Sequence, residues 1–254
     1  MHFFTRPSGG LYLGKRLLNP PGVVRVHAGA PGRIVFVTDP HIRRNSLSMA
    51  DTVARTVCGL RPELVLLGGD YGEFDGGATA FFERLGASLK GIPMFGVPGN
   101  NDDARFDGER ETLFALMRRN GVTPLVNQSA RLTLNGRTVE IAGADDVYLH
   151  EPSAKGLFSR DGRAYRILLS HAPLKSLLDD ASPDLMLSGH THGGQINVCG
   201  LTCYALLRYE HWLEFTHIAG EKRVGNTLCV VSRGIGTSKY PIRFGARAEI
   251  HLID

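Results

Sequence analysis

The sequence predicts an α/β domain built on a largely parallel sheet, at least in its first half. Three observations carry this expectation. Short apolar runs alternate with stretches whose apolar residues repeat at helical spacing. The runs are apolar at nearly every position rather than every second one, as in strands buried on both faces. Most runs lead into a small polar cluster, and in such sheets ligands bind beyond the carboxyl ends of the strands.

The elements follow in order. Ile34-Val35-Phe36-Val37 leads into Asp39-Pro40-His41, and Leu47, Ala50, Val53, Ala54, Val57 and Leu60 then repeat as a helix. Leu64-Val65-Leu66-Leu67 leads into Gly68-Gly69-Asp70, followed by a less regular helix on Phe81, Phe82, Leu85 and Leu89. Pro93-Met94-Phe95-Gly96-Val97 leads into Gly99-Asn100-Asn101-Asp102. Leu113, Phe114, Leu116 and Met117 form a third helix that stops at Asn120-Gly121. The second half changes character. Residues 131–134 and 138–142 flank Asn135-Gly136 and read as a hairpin. Its second strand runs on to Asp145-Asp146. Ile167-Leu168-Leu169 leads into Ser170-His171, and Leu185-Met186-Leu187 into Gly189-His190-Thr191-His192-Gly193-Gly194-Gln195. Residues 228–232 and 248–252 read as closing strands. No repeat, low-complexity tract or linker divides the chain. Residues 33–254 are expected to be one domain, preceded by a basic and apolar arm or edge strand over residues 1–32.

Composition sets limits. The 254 residues are 43% hydrophobic, enough for a substantial core and against disorder. A net charge of +4 does not point to nucleic acid. Cys58, Cys199, Cys203 and Cys229 follow no C-x-x-C spacing and are expected as reduced thiols. No run of about 18 apolar residues is present, and the first residues lack the pattern of a secretory signal, so a cytoplasmic location is expected.

The polar clusters carry the chemistry. Asp39 and His41, one residue apart at a strand end, can face one ion. Asp70 follows two glycines that let the backbone bend sharply. Asn100 offers an amide oxygen, and His171, His190 and His192 offer nitrogens. Mixed oxygen and imidazole donors suit manganese, iron or zinc rather than calcium. A shared carboxylate can hold two ions about 3.5–4 Å apart, the spacing of two-metal hydrolases. His150, after Asp145-Asp146, is a further histidine near a strand end.

Asp39-Pro40-His41, Gly69-Asp70, Gly99-Asn100-Asn101-Asp102, His171 and Gly189-His190-Thr191-His192 resemble, block by block and in order, the calcineurin-like metallophosphoesterase family, over roughly residues 33–254. Gly193-Gly194-Gln195-Ile196, residues 232–238 and Pro241-Ile242-Arg243-Phe244-Gly245 look like its YkuE/YaeI-type branch. The resemblance implies a four-layer α/β/β/α sandwich of two mixed sheets. It implies two divalent metal ions, manganese first, with iron or zinc as alternatives. Asp39, His41 and His192 would hold one, Asn100, His171 and His190 the other, and Asp70 would bridge. Some members of that branch are UDP-2,3-diacylglucosamine hydrolases of lipid A synthesis.

One position departs from the family motif, which has histidine where this chain has Asn101. The resemblance makes Asn101 and Asp102 the catalytic pair, with Asp102 orienting Asn101. An asparagine amide donates a hydrogen bond but delivers no proton at neutral pH. The site is therefore expected to favour a leaving group that needs little protonation, such as the phosphate of a pyrophosphate, whose second pKa is about 6. His150 is an alternative proton donor, and Arg233 and Arg243 are candidates for binding substrate.

The expected function is a metal-dependent phosphoester hydrolase acting on a phosphodiester or pyrophosphate, with UDP-2,3-diacylglucosamine, a lipid-linked nucleotide, as the leading substrate. Two alternatives stand beside it: a general or cyclic-nucleotide phosphodiesterase, and a metal-binding scaffold with a degenerate site. Leu11-Tyr12-Leu13-Gly14-Lys15-Arg16-Leu17-Leu18 and residues 206–213, which hold Trp212, mix apolar and basic side chains. They are candidates for peripheral contact with an anionic membrane on its inner face.

Overall fold

The computed structural model describes residues 20–105, 110–160, 162–206, 210 and 213–254, with side chains described outside 103–105. The candidate membrane segment at 11–18 lies outside these residues, as do 207–209, 211 and Trp212 of the second.

The continuous apolar runs become strands buried on both sides. The first sheet contains β1 (Gly22–Val26), β2 (Ile34–Val37), β3 (Leu64–Leu67), β4 (Met94–Gly96), β5 (Val122–Pro124) and β12 (Glu249–Ile253), in the order β1-β12-β2-β3-β4-β5. The second contains β6 (Gln128–Leu134), β7 (Arg137–Gly143), β8 (Tyr165–Leu169), β9 (Leu185–Ser188), β10 (Gly220–Val224) and β11 (Thr227–Val231), in the order β10-β11-β9-β8-β7-β6. Strands β2 to β5 pair in parallel, as do β7, β8, β9 and β11. Antiparallel pairs join β12 to β2, β6 to β7 and β10 to β11, so both sheets are mixed.

Alternation along each strand assigns its two faces. Ile34 and Phe36 of β2, Leu64 and Leu66 of β3, Ile167 and Leu169 of β8 and Leu185 and Leu187 of β9 pack between the sheets. Val35, Val37, Val65 and Leu67 point the other way, onto α1 (Leu47–Gly59), α2 (Asp75–Ser88) and α4 (Arg110–Arg119). Leu168, Met186 and Cys229 face a third cluster with Leu177 and Leu178 of α5 (Ser176–Ala181). The result is the four-layer α/β/β/α sandwich. The shorter helices α3 (Asn100–Arg105) and α6 (Cys203–Leu206) follow β4 and β9.

The Asn-Gly hairpin forms as its chemistry requires. Asn135 and Gly136 have φ of 47° and 77°, left-handed at both turn positions, and β6 pairs with β7 along seven residues. Within segment 1–32, Gly22–Val26 is the outermost strand of the first sheet, paired in parallel with β12. All four cysteines are free thiols. No helix among the described residues is long and apolar enough to cross a membrane.

Candidate metal centre

Five parallel strands end together. Asp39 and His41 follow β2, Asp70 follows β3, Asn100 follows β4, His171 follows β8, and His190 and His192 follow β9. The loops are tied by backbone bonds: Asp39 N–H to Gly69 O at 3.0 Å and His41 N–H to Asp70 O at 3.0 Å. Asp39 is clamped further by the Thr38 hydroxyl at 2.7 Å and the His190 amide at 3.1 Å.

The backbone is bent to aim these side chains. Asp39, His41, Asp70, His190 and His192 all have positive φ, between 41° and 66°. A non-glycine residue in that region costs of order 1–3 kcal/mol, and such residues cluster at functional sites. Two glycines make the approach possible. A Cβ on Gly99 would lie 2.3 Å from Asp70 Oδ1, and one on Gly189 would lie 2.1 Å from Asp39 Oδ2.

The seven side chains form two facing sets that share Asp70. In the first, His41 Nε2 is 3.1 Å from His192 Nε2 and 3.2 Å from Asp70 Oδ2, and His192 Nε2 is 3.5 Å from Asp39 Oδ1. In the second, Asn100 Oδ1 is 3.1 Å from His171 Nε2 and 3.0 Å from His190 Nδ1. There, His190 Nδ1 is 3.3 Å from His171 Nε2, and Asp70 Oδ2 is 3.5 Å from His171 Nε2. Ligands about 2.1 Å from one ion stand roughly 3.0–3.4 Å apart at octahedral or tetrahedral angles. These spacings fit two ions, with Asp70 Oδ2 between them. Asp39, His41 and His192, and again Asp39, Asp70 and His171, bring donor atoms within 4.8 Å of one another and could each hold an ion.

The electrostatics match a cationic occupant. Burial pulls the His41 and His171 imidazoles down, but the Asp70 and Asp39 carboxylates outweigh it and raise them to about 9 and about 10. Burial would raise the Asp70 carboxyl, yet His171 and His41 hold it well below its usual range. Negative charge is thus concentrated in a buried space, the environment that retains a divalent ion.

Outer contacts set which ring nitrogen is free. His41 Nδ1 donates to Glu73 Oε1 at 2.7 Å and His171 Nδ1 to Gly68 O at 2.7 Å, leaving both Nε2 atoms to face the centre. His190 Nε2 is 3.0 Å from Glu210 Oε2 and 2.9 Å from the Tyr148 hydroxyl, which itself donates to Glu210, so Nδ1 faces inward. His192 differs: Arg243 donates to its Nδ1 at 2.8 Å. Guanidinium only donates, so the hydrogen of the neutral ring sits on Nε2. Ligation through Nε2 therefore requires that hydrogen to leave or Arg243 to shift. Burial, Arg243 and His41 all hold the His192 imidazole well below its ordinary value.

Three expectations change. Asp102 does not orient Asn101: its carboxylate accepts the backbone amides of Asp70 and Gly99 on one oxygen, at 2.8 and 2.9 Å, and that of Tyr71 on the other, at 2.9 Å. Burial and Asp70 raise it to about 7. Asn101 instead turns to Asp70, its Nδ2 donating to Oδ2 at 2.6 Å and its backbone amide to Oδ1 at 2.9 Å. Arg243 is 1% exposed and directed at His192, Gly236 O and Ala246 O, so substrate does not reach it. Arg233 lies beside Gly193 but is engaged by Glu249 at 2.7 Å. Glu73, Tyr148, Glu210 and Arg243 hold the candidate ligands from outside; Arg243 is expected from the sequence in another role, and no spacing announces the other three.

Residues 32–194 match the family model described as calcineurin-like phosphoesterase. Among curated relatives, the chain is 33% identical to the uncharacterized protein YpbG of Bacillus subtilis, over 88% of this chain and 80% of that one. It is 30% identical to the phosphodiesterase YaeI of Escherichia coli, over 89% and 82%. It is 31% identical to the uncharacterized metallophosphoesterase YkuE of Bacillus subtilis, over 86% and 77%.

Proposed function

This chain belongs to the calcineurin-like phosphoesterase family and is a metal-dependent phosphoester hydrolase, and we propose that it cleaves a phosphodiester or pyrophosphate bond at two ions held by Asp39, His41, Asp70, Asn100, His171, His190 and His192. The observation that carries this is the pair of donor sets at ligand-to-ligand spacing that meet at Asp70 Oδ2. Manganese fits the mixed carboxylate, amide and imidazole donors, with iron or zinc as alternatives. When bound, the ions supply Lewis-acid neutralisation of the phosphate and a lowered pKa for the attacking water. The chain's residues supply the rest. Glu73, Gly68 O and Glu210 fix three imidazoles in the ligating orientation. Asp102 holds the Asp70 loop by the backbone amides of Asp70 and Tyr71, and its own loop by that of Gly99. Asn101 sets its amide beside the bridging carboxylate, as a donor to a phosphoryl oxygen.

Because Asn101 donates a hydrogen bond but no proton, the site favours a good leaving group. UDP-2,3-diacylglucosamine, cleaved to UMP and a lipid phosphate, is the leading substrate, with peripheral contact at the inner membrane face through the N-terminal arm. The phosphodiesterase name of YaeI supports the alternative of a small or cyclic-nucleotide diester. Asn101→His tests the leaving-group argument. The variant should leave pyrophosphate cleavage within about threefold and raise alkyl diester cleavage by about 10²-fold or more, the worth of a general acid. An unchanged ratio contradicts it.

A further inference from the structure

Ten large hydrophobic side chains stand exposed among the described residues. Six of them, Ile196, Val198, Leu201, Tyr240, Ile242 and Phe244, lie on two touching loops beside the metal centre, each 44–59% exposed. The first loop begins three residues after His192, and the second carries Arg243, which donates to His192. The loops are built as one piece. Asn197 N–H donates to Phe244 O at 2.7 Å and Phe244 N–H to Gln195 O at 2.9 Å. The Gln195 side chain donates to Tyr240 O at 2.8 Å and accepts from Ser238 N–H at 2.8 Å. A Cβ on Gly245 would lie 1.9 Å from Asn197 O, so the two backbones are in direct contact. Backbone polar groups are satisfied inside this double loop while apolar side chains stand outward.

Its charge is one-sided. Residues 193–206 and 233–248 contain no Asp or Glu, and Lys239 is exposed. Lys239 Nζ lies 6.0 Å from the centre of the Tyr240 ring. A clustered apolar patch on a soluble surface marks an interaction site. Two apolar and tyrosyl loops that carry a cation and no carboxylate of their own are complementary to anionic headgroups over acyl chains. A second copy of the same face would oppose like charges across a two-fold axis.

We propose that this double loop is a docking face for an anionic phospholipid bilayer. The face stands on its own geometry; only its purpose, presenting a lipid-linked ester to the adjacent centre, rests on the function proposed above. The test uses the full chain and vesicles of phosphatidylcholine, alone or mixed three to one with phosphatidylglycerol. Wild type should cosediment with the mixed vesicles and more weakly with phosphatidylcholine. The double substitution Ile242→Ser with Tyr240→Ser should lower partitioning by about tenfold or more. Lys239→Glu should weaken binding to the mixed vesicles and leave binding to phosphatidylcholine unchanged. All variants should keep wild-type metal content and cleavage of a small soluble diester, which verifies folding. Two results overturn the docking face: equal partitioning of the apolar variant and wild type, or a wild-type dimer in sedimentation equilibrium that the apolar variant dissociates. Vesicle binding without turnover of any ester would instead overturn the proposed function and leave the docking face standing.

Discussion

Each candidate histidine ligand is gripped at the nitrogen that faces away from the centre, and the grips are unequal. Glu73 and Glu210 place carboxylates on His41 and His190, Gly68 O serves His171, and Arg243 donates to His192. A carboxylate partner fixes the tautomer and raises the basicity of the ligating nitrogen. Glu73→Gln and Glu210→Gln should each weaken metal binding by about 10–100-fold, read from metal retention in competition with a chelator. Unchanged retention would mean that these carboxylates play no part in holding metal. The candidate ligands themselves were legible because each stands within a few residues of a strand end. Glu73, Tyr148, Glu210 and Arg243 were not, because their contacts with the histidines span 20 to 51 residues and arise only from packing. Asp102 misled for a related reason: motif position implies its neighbour, but the fold turns its carboxylate onto the Asp70 loop.

At the scale of elements, continuous apolar runs located the buried strands because both faces of β2, β3, β8 and β9 must be covered. Leu66, fully buried between the sheets on β3, lies on the strand that leads into Asp70. Leu66→Ala should destabilise the fold by about 2–5 kcal/mol in urea unfolding, as cavity-forming substitutions do. A loss below about 1 kcal/mol would mean that the core collapses around the gap. Strands β5 and β10 escaped sequence patterning for physical reasons. The first is three residues long and ends in Pro124, and the second, Gly-Glu-Lys-Arg-Val, is a largely exposed edge whose apolar content is a single valine. Helix α2 starts at Asp75, well before the apolar repeat at Phe81; its first turn holds Gly76 and Gly77, which have no side chain to extend the repeat, and a Cβ on Gly77 would lie 2.2 Å from Ile42 O.

The whole molecule packs two sheets face to face so that strands from both end around one buried, negatively charged space. The first sheet was legible as parallel; the assignment of β12 to it, far along the chain, follows only from tertiary pairing. That strand also carries a buried carboxylate, Glu249, paired with the partly exposed Arg233. Glu249 accepts Arg233 at 2.7 Å and lies 3.3 Å from His251. Burial would raise its carboxyl, but His251 and Arg233 hold it at about 2 against an ordinary 4.5. A depressed folded-state value contributes stability that is present above about pH 4.5 and lost as the pH falls towards 2. Glu249→Gln should therefore be less stable than wild type at pH 7, by on the order of 3 kcal/mol in urea unfolding. The gap should close steadily between about pH 4.5 and pH 2; a constant gap would show that the charge is not its source.

Two ions meeting at Asp70 would give this chain its phosphoester hydrolase activity. This is tested most directly by titrating manganese into chelator-stripped protein while metal content and hydrolysis of a small aryl phosphodiester are followed together. Two ions should bind per chain, turnover should rise as they load, and Asp70→Ala should lose about 10³-fold or more of it together with bound metal. Turnover in the stripped protein, or two ions bound with no hydrolysis of the diester or of UDP-2,3-diacylglucosamine, would contradict it.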